Sequence, residues 1–141
     1  MKIILISTGS RKDKGPKIIA EFLEKNNHKI EIHFSEFEDL DDLKKKAAYS
    51  GLIVVSANKT TYRKASKIFK ALKRLQKPVA YAGIYPSLHP EKAIEETDLV
   101  ITKNPKETIL ELANRLENFR RVSDIESLWF KAGKEKIMKN E

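Results

Sequence analysis

The sequence has 141 residues, 40% hydrophobic and 34% charged, which suits one folded domain of ordinary size. It contains no cysteine, which excludes disulfides, thiolate metal sites, a cysteine nucleophile and a cysteine-ligated iron–sulfur cluster within this chain. The formal net charge is +8, but the lysines are spread along the chain and read first as a solvated basic surface.

The opening MKIILISTGS is too short an apolar run for a signal peptide or a membrane span, so a cytoplasmic protein is expected, with no membrane partner. Lys2 to Ser7 is nearly continuous in apolar residues, as expected of a strand covered on both faces. A polar loop, Thr8 to Gly15, precedes Pro16, which suits the first turn of a helix. Ile18, Ile19, Phe22 and Leu23 repeat at helical spacing and predict its buried stripe, with Asn26-Asn27 as its end. His28 to Phe34 alternates and reads as a second strand, with Ile30, Ile32 and Phe34 on one face. Asp39 to Ala48 predicts a helix with Leu40, Leu43 and Ala47 inward, and Leu52 to Val55 a third strand.

Thr60 to Leu75 is the clearest helix. Ala65, Ile68, Phe69, Leu72 and Leu75 form one stripe, while Arg63, Lys67, Lys70, Arg74 and Lys77 fall opposite, as a solvated face would. Val79 to Ala82 is a fourth strand, Pro90 to Glu96 a short helix and Leu99 to Ile101 a fifth strand. Asn104-Pro105-Lys106-Glu107 has the residues of a capped helix start, and Ile109, Leu112, Ala113 and Leu116 carry that helix to about Asn118. Ser127 to Lys131, a turn at Ala132-Gly133-Lys134, and Glu135 to Ile137 predict a small hairpin.

Strands alternating with helices predict a doubly wound, flavodoxin-like (Rossmann-like) parallel sheet of five strands, order 2-1-3-4-5, over residues 1–120. Residues 121–141 read as a hairpin and tail, too small to be stable alone and expected to pack on the sheet or on something absent from this chain. Ligands of such sheets bind beyond the carboxyl ends of the strands, which singles out the loops Thr8–Lys14, Ser56–Thr61, Gly83–His89 and Thr102–Asn104. None carries G-x-x-x-x-G-K-[ST], G-x-G-x-x-G or G-x-S-x-G. The first and third strands end in Ser7 and Ser56 where a phospho-receiver needs acids. Thr8, Gly9 and Ser10 form a hydroxyl-and-glycine loop before a helix, which leaves open a flavin- or phosphate-binding module. The Arg63/Lys67/Lys70/Arg74 face leaves open a basic interaction or nucleic-acid-binding domain, although no nucleic-acid partner is expected. His28 and His33 read as structural or exposed, and His89 as the neighbour of a helix start.

From Val54 to Lys136 the order of pieces resembles a known family. Ala82-Gly83-Ile84-Tyr85-Pro86-Ser87 stands where that family has Gly-Gly-x-His-Pro-Thr. Pro90 to Ile94 resembles its short helix, Asp98 to Ile101 its strand and Glu107 to Leu112 its last helix. Asp124-Ile125-Glu126-Ser127-Leu128 with the Gly133 turn resembles its terminal segment. The family is the N-terminal cobalamin (B12)-binding domain of the B12-dependent radical S-adenosylmethionine (SAM) enzymes. The sequence departs from it in three places. The Asp-x-His-x-x-Gly motif of cobalt-ligating domains is absent, Lys103-Asn104-Pro105-Lys106 replaces a Gly-Glu-Gly-Glu turn, and Ala82 replaces a glycine.

The resemblance implies a metal-binding cofactor, cobalamin, held without a protein histidine. Ser56, Asn58, Thr60 and Thr61 would give hydrogen bonds, Gly83 would permit close approach, and Tyr85, beside Pro86 and Ser87, would form an aromatic wall. Thr8 to Ser10 and Thr102 complete the expected edge. SAM and a 4Fe-4S cluster would belong to a methyltransferase or cyclase domain absent from this chain, in cis or in trans, so the chain alone is not expected to be catalytic.

Overall fold

The computed structural model describes residues 1–133 and 135–141. Its elements run β1 (Lys2–Ser7), α1 (Gly15–Lys25), β2 (Lys29–Phe34), α2 (Leu40–Ala47), β3 (Leu52–Ser56), α3 (Tyr62–Leu72), β4 (Val79–Ala82), α4 (Ile84–Leu88), α5 (Pro90–Ala93), β5 (Leu99–Ile101), α6 (Pro105–Glu117), β6 (Leu128–Ala132) and β7 (Lys136–Lys139). Single 3₁₀ turns extend β2 at Ser35–Phe37 and α3 at Lys73–Leu75. None of the described helices is long and apolar enough to cross a membrane.

Among the described residues, seven strands form one sheet, in the order β2-β1-β3-β4-β5-β6-β7. The first five are parallel in the expected order. The five-strand expectation falls short because the terminal hairpin, expected to pack on the sheet or on something absent, joins the sheet edge as two further strands. β6 pairs antiparallel with β5 (Leu99 opposite Phe130, Ile101 opposite Leu128), and β7 pairs antiparallel with β6. Ile125 and Leu128 are buried in the same core as Leu99 and Ile101. Of the expected turn, Lys134 lies outside the described residues.

The period of two along each strand sends side chains to two cores. Ile4, Ile6, Ile53, Val55, Tyr81 and Val100 pack under α2, α3 and α5, against Leu43, Ala65, Ile68, Phe69 and Leu72. Ile3, Leu5, Leu52, Val54, Ala80 and Leu99 pack under α1 and α6, against Leu23, Ile109, Leu112 and Ala113. Coverage on both faces is why β1, β3 and β5 read as unbroken apolar runs. β2 is an edge strand, so Ile30 and Ile32 are only partly buried.

Several local expectations are corrected. Ile18 is 52% exposed and Leu40 38% exposed; Pro16 and Ala20 take the inward positions of α1, while Leu43 and Ala47 suffice for the short α2. Gly83–His89, expected as a loop, contains the five-residue helix α4. Pro86 sits in its first turn, where a missing N–H leaves no bond unmade, and Ser87 N–H and His89 N–H donate to Gly83 O and Tyr85 O. Asn104 is not a side-chain cap. Its backbone is left-handed (φ 48°, ψ 59°), whereas a capping side chain needs an extended residue. The α6 start is tied instead by Thr108 N–H to Asn104 O (2.9 Å) and Thr108 Oγ1 to Lys103 O (3.1 Å).

Candidate functional site at the carbonyl edge of the sheet

In register across three neighbouring strands, β1 ends at Ser7, β3 at Ser56 and β4 at Ala82. In-register neighbours point to the same face, here the face under α1 and α6. The rows below hold Leu5, Val54 and Ala80, then Ile3 and Leu52. The last row is therefore small, and the helices cannot close over it. A hollow of about 320 Å³ results, lined by Ser7, Gly9, Asp13, Ser56, Ala57, Asn58, Gly83, Ile84 and, from the helix starts, Pro16, Ile19 and Pro105. A second hollow of about 310 Å³ adjoins it along β5, lined by Ser87, Ile101, Thr102, Lys103 and Asn104 and sharing Gly83, Ile84 and Pro105. The two make one trough along the carbonyl ends of β1, β3, β4 and β5. Its site is the switch point between β1 and β3, where the chain crosses to opposite faces of the sheet.

Gly83 shapes this edge. Its φ is +106° with ψ −172°, a conformation essentially reserved for glycine. A Cβ there would lie 2.5 Å from Ala57 O. The close approach that glycine permits is thus to the β3–α3 loop, whose backbone is pinned by Ala57 N–H to Ala82 O (3.1 Å) and Tyr85 N–H to Ala57 O (3.2 Å).

The hydroxyls divide into committed and open groups. Thr8 is buried and its Oγ1 lies 2.8 Å from Ser56 O and 2.7 Å from Thr61 Oγ1. Thr61 Oγ1 also accepts from Asn58 N–H (3.0 Å). Asn58 Oδ1 accepts from Thr60 N–H, Thr60 Oγ1 and Thr61 N–H. Ser87 Oγ donates to Thr102 O and Thr102 Oγ1 to Ser127 O. Those groups hold the loops together. Ser56 Oγ and Asn58 Nδ2 have no hydrogen-bond partner among the described residues, and both residues line the trough. Ser7 Oγ accepts from Gly9 N–H (3.2 Å) and keeps its own proton to donate.

Of the expected contact residues, Gly9, Ser56, Asn58, Gly83, Ser87 and Thr102 line the trough. Thr8, Ser10, Thr60, Thr61, Tyr85 and Pro86 do not. Tyr85 turns away, stacking on Tyr62 (4.7 Å between centroids, 9° between planes) and packing near Tyr81 (5.9 Å). Burial there, then the neighbouring Tyr62 and Glu96, raises its phenol above the ordinary range. The Thr8–Ser10 loop spends its amides internally: Ser10 N–H donates to Asp13 Oδ2 and Lys12 N–H to Ser10 Oγ. With an adjacent carboxylate it forms no phosphate cradle. Ser7, Asp13, Ile84 and Pro105 were not singled out from the sequence. Asp13 and Ile84 lie within loops that the sequence marks, and Ser7 ends its strand in register with Ser56, but residue type alone does not tell that these side chains line a trough.

None of the three histidines lines the trough. His28 is buried at the opposite edge, with Nε2 2.8 Å from Asn114 Oδ1, so its structural reading holds. His33 bonds Glu38 through Nδ1 (2.7 Å), and His89 packs against Tyr85. Among the described residues, no group of three or more His, Cys, Asp or Glu is placed to hold a metal ion. A further hollow, of about 580 Å³, lies at the amino edge of β4 and β5, away from this chemistry.

No protein-family model and no curated protein matches this sequence. Solved structures do. The radical SAM methyltransferase TsrM from Kitasatospora setae, with tryptophan substrate and a SAM analogue bound, superposes with a TM-score of 0.84 at 16% identity, over 94% of this chain and 28% of that one. The same enzyme with cobalamin and a [4Fe-4S] cluster bound gives 0.81 at 17%, over 94% and 27%. The cobalamin-dependent SAM radical enzyme OxsB, with aqua-cobalamin and SAM bound, gives 0.73 at 14%, over 99% and 22%. The chain therefore shares its whole fold with parts of cobalamin-dependent radical SAM enzymes, and spans about a quarter of their length.

Proposed function

We propose that this chain is a cobalamin-binding-type domain and that the carbonyl-edge trough receives the cofactor. The observation that carries the reading is the small last row, Ser7–Ser56–Ala82, which opens the trough beside two uncommitted donors, Ser56 Oγ and Asn58 Nδ2. Cobalamin combines an apolar macrocycle, an amide-bearing rim and a nucleotide arm, and the lining suits that mixture. Ser7, Ser56 and Asn58 would hold polar groups, while Pro105 and the half-exposed Ile84 would meet apolar ones. Because no histidine reaches the trough, the cobalt would take no protein imidazole. The likeness in fold to enzymes solved with cobalamin supports the same reading.

Bound cobalamin would supply its alkyl-carrier chemistry to a radical SAM catalytic domain, in cis or in trans. With no cysteine, this chain cannot itself hold that domain's iron–sulfur cluster. Its own part is to bind, orient and shield.

A titration of the chain with hydroxocobalamin, followed in the visible spectrum, tests this. A saturable change at micromolar concentration is expected, with no quenching of flavin mononucleotide in a parallel titration. No saturable change up to about 100 µM would sink the cofactor reading and leave the fold intact.

A further inference from the structure

The net charge has a sharper layout than its total conveys. From Leu43 to Pro90 the chain holds eleven of its 28 Lys and Arg residues and none of its 20 Asp and Glu residues, so this third carries +11 and the remainder −3. The segment comprises most of α2, all of α3 and α4, and the buried strands β3 and β4. Its cations gather on α3 and the carboxyl end of α2, while the acids of the same layer, Asp39, Asp41, Asp42, Glu91, Glu95 and Glu96, lie at the start of α2 and on and after α5. Lys45, Lys64, Lys67, Lys70 and Arg74 are exposed, and of the eleven only Lys46 has a carboxylate within ion-pair distance among the described residues, at Glu38. The opposite layer is balanced: α1 and α6 mix Glu21, Glu24, Glu111 and Glu117 with Lys17, Lys25 and Arg115.

We propose that the outer face of α3, with the lysine-bearing carboxyl end of α2, binds the phosphodiester backbone of a single-stranded nucleic acid. Nine of the eleven cations are lysine, a point charge that meets phosphate without fixed geometry, which suits a backbone more than a particular base. An aromatic stands at the end of the run. Lys77 Nζ donates to Ser50 O (3.0 Å), and Tyr49, one residue earlier, is 82% exposed with no packing role to explain it. An exposed ring beside a row of cations is the arrangement on which unpaired bases stack. A membrane surface fits less well. The apolar stripe of α3 (Ala65, Ile68, Phe69, Leu72) is fully buried, and no large apolar residue of α3 faces outward to enter lipid. A protein partner would need an apolar centre that this charged face lacks.

The test is fluorescence anisotropy of the full chain with a labelled polyuridylate of about 20 nucleotides. From Lys64 to Lys77 the run spans about 20 Å and reaches about four phosphates, for a slope of log K against log [salt] near −3. Affinity should then fall about sixtyfold between about 50 and 200 mM salt. Lys67→Glu with Lys70→Glu should abolish binding, and Lys17→Glu with Lys25→Glu, the same charge change on the other layer, should leave most of it. Tyr49→Ser should weaken binding several-fold. All these positions are exposed, and circular dichroism checks the fold. No binding at about 25 mM salt, equal loss in both double variants, or equal capture by phosphatidylserine vesicles with the same sensitivity to Lys67 and Lys70 would overturn the proposal.

Discussion

Replacing Gly83 by alanine tests why a glycine stands at the centre of the trough. The backbone conformation there (φ +106°, ψ −172°) costs a residue with a Cβ about 1–3 kcal/mol. The new Cβ would also sit 2.5 Å from Ala57 O, and backbone, unlike a side-chain end, cannot rotate away. Relief of that overlap adds about 1–3 kcal/mol. We expect Gly83→Ala to lose about 3–5 kcal/mol, a large share of the roughly 5–15 kcal/mol that stabilises a domain. At about 3 °C per kcal/mol for a chain of this size, thermal unfolding followed by circular dichroism should drop by about 10–15 °C. Gly15→Ala is the matched control. It has no atom within 4 Å of its prospective Cβ and opens α1, so it should leave stability unchanged or raise it by up to about 1 kcal/mol. If Gly83→Ala loses less than about 3 °C while its ligand binding collapses, the glycine serves the ligand and the internal packing explanation is wrong.

Ile84→Asp, at a position 56% exposed, should leave the unfolding temperature within about 2 °C and weaken hydroxocobalamin binding at least about tenfold; unchanged affinity would remove Ile84 from the site. Phe69→Ala should cost about 3–5 kcal/mol in urea unfolding, since the ring is buried and packs 4.6 Å from Tyr81. Glu38 has its carboxyl held below the usual range: burial works to raise it, but hydrogen bonds from Lys46 and His33 outweigh that. A depressed carboxyl contributes stability present above its unfolded value, near 4.5, and lost as pH falls through the lower folded value. The stability difference between pH 7 and pH 3 should therefore shrink in Glu38→Gln, and an undiminished difference would show that the cluster does not couple to folding.

The strands buried on both faces were legible because their chemistry is local: Ile3 to Ile6 and Leu52 to Val55 admit no other element. The order of the first five strands followed from the alternation of helix and strand. The place of Leu128 to Ala132 did not, since nothing in an apolar hairpin says which open edge it joins; β5 offered one. Gly83 and Pro86 look like loop punctuation, yet a helix of five residues tolerates proline in its first turn. Within the site, residue type told which side chains could bond but not which were already bonded. Thr8 and Thr61 spend their hydroxyls on one another and on the β3–α3 loop, while Ser56 and Asn58 keep donors open. Ile84 lies in a loop that the sequence marks, but a single apolar residue after a glycine reads as buried; its exposure arises from α4 perching on the sheet edge.

Amide chemical-shift mapping with hydroxocobalamin tests the central claim most directly, because it reports binding and place together. On uniformly ¹⁵N-labelled chain, saturable shifts are expected at Gly9, Ser56 to Asn58, Gly83 to Tyr85 and Ser87, with α2 and the hairpin at rest. Shifts confined to the amino-edge hollow around Lys77, Thr97 and Lys131, or no shifts at all, would contradict a cobalamin site at the carbonyl edge.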